Sequence, residues 1–225
     1  MASLSEKFSR LDLIKPITAE CSRSCSYDTS YTYRSGEVLP VVHLLNPGHD
    51  WIVINRHGLL IWVSNSTPIF DIDDKSPTVI DRVNKCAFES NLPFRLYETC
   101  KGLRLIILSE FESFDDTKAI WQLMKPLPID PSYTSLCTKQ KCFRARLSTK
   151  PLRSENHSIV ASFELGDEFD FEFLRDFYDN STAASSTGVT RLLECNVPFN
   201  DPAFTSPIRF HDVLTGAMQN NSRLA

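Results

Sequence analysis

The chain has 225 residues, and its 24 Lys and Arg against 28 Asp and Glu give a formal net charge of −4. That balance argues against a protein that binds nucleic acid through a basic surface spread over its whole domain. Hydrophobic residues at 42% with charged residues at 23% are ordinary for a globular chain, and seven glycines against 13 prolines disfavour a Gly-rich dinucleotide-binding fold.

Residues 1–38 read as a polar, irregular lead-in, since ten of the fifteen side chains from Ser22 to Gly36 are Ser, Thr or Tyr. No apolar run is long enough to span a bilayer and the first residues carry no signal-peptide pattern, so the chain reads as cytoplasmic, without a membrane partner. Seven scattered cysteines do not form a disulfide framework. Cys21 with Cys25, and Cys137 with Cys142, imitate zinc half-sites, but neither has a second pair close by. Reduced, partly buried thiols account for them.

An organised α+β core is expected over residues 39–179. Trp51 to Asn55 and Leu59 to Val63 are apolar, β-prone runs around Arg56-His57-Gly58, which predicts a hairpin. Pro68 opens a short strand, Ile69-Phe70-Asp71-Ile72-Asp73. Ser76-Pro77 then reads as a cap with proline at the first helical position, and Val79, Ile80, Val83, Cys86 and Ala87 recur at helical spacing. A second hairpin joins Phe94–Thr99 to Leu103–Leu108 through Cys100-Lys101-Gly102. Asp115 or Asp116 can cap a short helix that Pro126 ends. Alternation over Cys142–Ser148 and over Ser158–Leu165 predicts two further strands. Residues 180–225 read as a low-complexity and irregular tail.

Two groups of residues stand out chemically. Side chains alternate along a strand, so Asp71 and Asp73 share one face and Phe70 and Ile72 the other. Paired carboxylates suit Mg²⁺ or Mn²⁺, although a solvated strand end leading into a helix N-terminus would carry the same acids. The second group lies in residues 139–153, with six cations and no acid. Alternation sets Arg144, Arg146 and Ser148 on one face and Phe143, Ala145 and Leu147 on the other. Guanidinium forks, a hydroxyl and Lys150 match phosphate oxygens, and an exposed edge strand guarded by cations against edge-to-edge pairing would look alike. His57 in its turn and His157 beyond the basic segment are further, weaker candidates. Residues 163–179 carry seven acids and one arginine beside Phe169, Phe173 and Phe177 at helical spacing, a helix with an aromatic stripe or an acidic surface for a basic partner.

In order and spacing these pieces resemble the archaeo-eukaryotic primase superfamily. Ile69-Phe70-Asp71-Ile72-Asp73 is similar to its first motif, and Tyr97-Glu98-Thr99-Cys100-Lys101-Gly102-Leu103-Arg104-Leu105 to its second. Asp130, followed by Arg144-Ala145-Arg146-Leu147-Ser148-Thr149-Lys150, resembles its third acidic position and downstream basic strand. Arg104 stands where the second motif carries a histidine, and Asp130-Pro131 also reads as a turn initiator. The resemblance implies an RNA-recognition-like antiparallel sheet with packed helices. It implies Asp71, Asp73 and Asp130 as catalytic metal ligands for Mg²⁺ or Mn²⁺. Arg104, Arg144, Arg146, Ser148 and Lys150 would bind nucleotide or single-stranded nucleic acid. The implied activity is metal-dependent nucleotidyl transfer in DNA replication, with replication proteins as partners. A catalytically inactive nucleic-acid-binding replication protein on the same fold, or a protein-interaction domain, are the alternatives.

Overall fold

The structure, a computed structural model, describes residues 30–32, 34, 36, 38–46, 48–54, 59–109, 111–148, 187–196, 206–218 and 223–224. The described chain is mixed α+β, with two antiparallel sheets and a few helices.

The first sheet begins inside the expected lead-in. It contains β1 (Ser30–Thr32), β2 (Val38–Asn46), β3 (Asp50–Ile54), β4 (Leu60–Ser64) and β8 (Phe143–Arg146), in the spatial order β1-β2-β3-β4-β8. The expected first hairpin is present as β3 and β4, paired antiparallel from Asp50↔Ser64 to Ile54↔Leu60. Asp50 is fully buried because its carboxylate accepts a 2.8 Å hydrogen bond from the Trp62 indole across the hairpin.

The second sheet has the order β10-β6-β7-β5, formed by β5 (Ile69–Ile72), β6 (Phe94–Thr99), β7 (Leu103–Ile107) and β10 (Thr190–Cys195). Helix α1 (Pro77–Glu89) connects β5 to β6, and both strands run antiparallel to the intervening β7. This is a split βαβ unit. Pro77 starts α1 as the sequence predicts, and Val79, Val83, Cys86 and Ala87 form its buried stripe. They pack with Phe70, Ile72, Phe94, Leu96, Leu103, Leu105 and Ile107, the outward half of each strand's alternation. The helix expected after Asp115 is a 3-10 turn (Phe114–Thr117) running into α2 (Lys118–Met124), whose Ile120 and Met124 join the same cluster.

On the opposite face, Ile69, Tyr97 and Ile106 of the second sheet meet Ile52, Leu60, Trp62, Phe143, Ala145 and Leu147. The two sheets therefore share one core.

Helix α3 (Pro131–Gln140) is not anticipated by the sequence pattern, because Ser, Thr, Cys and Gln dilute its apolar spacing. Local chemistry makes it. The Asp130 carboxylate accepts from the Ser132 N–H at 2.7 Å, Pro131 occupies the first turn, and Lys141 ends the helix in the left-handed region at φ 57°. Tyr133 and Cys137 supply the buried contacts.

The tail expected to be irregular also differs from its reading. It contains β10, which adds to β6, and helix α4 (Ser206–Thr215), whose His211, Asp212, Leu214 and Thr215 are buried. Short β9 (Thr187–Gly188) pairs in parallel with β11 (Arg223–Leu224). No helix among the described residues is long and apolar enough to cross a membrane.

Candidate functional site

Two strand edges define the site. In the β5–β7 ladder the Ile107 N–H bonds to the Pro68 carbonyl, so alternation makes Ile69↔Ile106 and Asp71↔Arg104 the non-hydrogen-bonded pairs. The backbone groups of Ile69 and Asp71 therefore point away from the sheet. Both carbonyls find partners: Tyr133 Oη donates to Ile69 O at 2.8 Å, and the Asp130 N–H donates to Asp71 O at 3.0 Å.

The same accounting holds for β8, an edge strand of its own sheet. The Leu147 N–H bonds to the Leu60 carbonyl, which leaves Arg144 and Arg146 as outward-pointing pairs opposite Val63 and Ile61. The Arg144 N–H donates to Tyr133 Oη at 3.3 Å, and the Arg146 carbonyl accepts from Arg104 Nη1 at 2.9 Å. Side chains of α3 and β7 thus tie together the two edges that no backbone ladder joins.

A cleft of about 290 Å³ opens where these edges meet. Five of the eight residues that the primase resemblance marks border it: Asp71, Asp73, Arg104, Asp130 and Arg146. Its floor is the β6–β7 turn, pressed against the end of β5. A Cβ at Gly102 would stand 1.9 Å from the Ile72 carbonyl oxygen, so only glycine fits. Lys75 holds this turn from behind, through Glu98 Oε1 at 2.8 Å and the Cys100 carbonyl at 3.1 Å. Lys101 borders the cleft from the same turn and is exposed. Its role was legible only as a cation beside the turn glycine.

Arg104 is 3% exposed and fully engaged. Nε donates to Asp71 Oδ1 at 2.9 Å, and Nη2 lies 3.5 Å from Oδ2. Sequence reasoning aimed both side chains at ligands, Arg104 at phosphate and Asp71 at metal; here each faces the other. A cross-strand register is what brings them together, and no short motif encodes it.

Arg146 differs. Among the described residues no carboxylate forms an ion pair with it, and burial, then the adjacent Arg104 guanidinium, lowers its pKa to about 10. It remains charged at neutral pH, half-buried, between the like charge of Arg104 and the Asp71 carboxylate, which acts to raise its pKa. An arriving anion would relieve both penalties.

The other predicted residues are placed elsewhere. Arg144 shares the Arg146 face but does not border the cleft. Ser148 is buried, and its hydroxyl accepts from the Leu60 N–H at 3.2 Å, a structural role. The strand ends at Arg146, so the alternation that put Ser148 with the arginines stops first. Lys150, His57, His157, the Cys21 and Cys25 pair, the strand expected at 158–165 and the acidic segment 163–179 lie outside the described residues. Cys137 and Cys142 are buried and in no disulfide, and burial pushes the Cys137 thiol up to about 12.

The donor set fits a tightly held divalent ion poorly. Asp71 is taken by Arg104, Asp130 uses one oxygen to cap α3, and Asp73 is exposed. Among the described residues no group of three or more His, Cys, Asp or Glu side chains is arranged to hold a metal ion.

No protein-family model matches the chain, and no curated protein or solved structure matches it significantly. The likeness to primases rests on the motifs alone.

Proposed function

We propose that this cleft binds the phosphates of a nucleotide or of single-stranded nucleic acid, on a primase-polymerase-like domain that serves DNA replication. The observation that carries the reading is Arg146: a half-buried guanidinium, in no ion pair among the described residues, bordering a cleft of about 290 Å³. Lys101 supplies a second, mobile cation from the turn. Binding confined to these few cations is compatible with a net charge of −4.

Titration of the full chain with ATP and with a short single-stranded oligonucleotide, both in EDTA, tests the proposal. Affinity is expected for both, and the oligonucleotide's should fall as salt rises. Absence of binding to either ligand overturns the reading.

Metal-dependent nucleotidyl transfer is the second reading, favoured by the three carboxylates of Asp71, Asp73 and Asp130 around the same cleft. In it Asp73 and Asp130 would hold Mg²⁺ or Mn²⁺, which would supply charge stabilisation to the transferring phosphoryl group. Nucleotide incorporation on a primed or unprimed template, present with Mg²⁺ or Mn²⁺ and lost in Asp73→Asn, would select it. No incorporation leaves the binding module, the catalytically inactive alternative.

A further inference from the structure

The Arg104 guanidinium borders the cleft but is held from within the protein. One edge faces both carboxylate oxygens of Asp71, and Nη1 donates to the main-chain carbonyl of Arg146. That carbonyl sits on the outward edge of β8, at the last residue of the strand, where no neighbouring strand would otherwise hold it. The bond therefore fixes the backbone from which the Arg146 guanidinium projects, a cation in no ion pair among the described residues. Asp71 orients the fork that makes the bond, and the non-hydrogen-bonded register of Asp71↔Arg104 brings their side chains close enough to do so.

We infer that Asp71 and Arg104 are positioning residues for Arg146, and that Asp71 supports phosphate binding through Arg104 rather than by holding a metal ion. The inference rests on the phosphate-binding reading and adds a chain of action to it: Asp71 orients Arg104, Arg104 holds the end of β8, and Arg146 meets the anion. Asp71→Asn removes the charge and keeps the shape. Arg104→Lys keeps the charge, but an ammonium cannot span both the carboxylate and the carbonyl.

The test uses the full chain in EDTA, with ATP as the probe and the Arg146 Nε–Hε NMR resonance as a ligand-free readout, assigned by its loss in Arg146→Lys. Each variant should weaken ATP binding by about tenfold, the size of one charge-assisted hydrogen bond. Each should also move the Arg146 resonance before any ligand is added. An Asp71→Asn chain that binds ATP normally in EDTA and weakly only with Mg²⁺ would overturn the inference, since Asp71 would then act on the metal. So would an Arg146 resonance unmoved in both variants. If the native chain binds no ATP, the phosphate reading falls by itself and the resonance still decides the coupling. Should Asp71→Asn fail to fold, Arg104→Lys carries both measurements.

Discussion

Two arginine–aspartate pairs lie on the same face of the second sheet, and they behave as opposites. Arg95 on β6 pairs with Asp212 of α4, with side chains 1% and 8% exposed; Arg104 on β7 pairs with Asp71, at 4% and 32%. Around Asp212 the side chains are buried, with His211 Nε2 left without a hydrogen-bond partner among the described residues. Tyr97 Oη donates to it at 2.7 Å, the His211 ring lies 3.2 Å away, and that ring packs on Tyr97 at 4.6 Å between centroids. Around Asp71 the far side is a cleft, and the cation beyond it, Arg146, forms no ion pair among the described residues, although the Asp71 charge acts on it. The same chemical pair thus anchors a helix in one place and borders an open cleft in the other. What separates them is whether the next charged group along is satisfied.

Breaking the closed pair should have the largest effect on stability. Asp212→Ala removes the carboxylate that buried Arg95 and Tyr97 both donate to, which costs about 3–5 kcal/mol. For a chain of this size that lowers the unfolding temperature by about 10 °C, measurable by calorimetry. Asp71→Asn, at the open pair, should lower it far less.

Gly102→Ala comes next, because the new methyl collides with main chain at Ile72 and not with a flexible side-chain tip. Overpacking of this kind costs about 1–3 kcal/mol. Denaturant titration should show that loss, and ATP affinity should fall with it, since the turn forms the cleft floor.

The smallest effect is a pH dependence centred on His211 beside the closed pair. Burial, then the charges of Arg104 and Arg95, hold the His211 pKa well below the ordinary imidazole value. The unfolded chain therefore binds this proton first. The stability is fully present above about pH 6.5 and is lost as pH falls from there toward the depressed folded value, by up to about 1.4 kcal/mol per unit. Melting curves between pH 7.5 and 5.5 should show the decline, flattened in His211→Gln.

Much of the second sheet was legible in the sequence because its signals are local. The Pro77 start, the glycine turn and the alternation of Phe70 and Ile72 against Asp71 each specify their element without help from elsewhere, whereas the Ser76 side chain makes no capping bond. Helix α3 and the α4 region were not. In one the decisive residue is a cap, Asp130, which reads equally well as a turn; in the other, Asp212 earns its burial from partners 115 and 117 residues away. The site was half legible for the same reason. Its members could be named from short motifs, but which acid meets which cation depends on the β5–β7 register and on β8 arriving at the edge of β5.

The central claim is that Arg146 is the anion anchor of the cleft, and isothermal titration of ATP in EDTA into the native chain and into Arg146→Ala tests it most directly. The account predicts binding by the native chain and an affinity at least about tenfold weaker in the variant, with an unchanged unfolding temperature. Equal affinity in the two chains would contradict it.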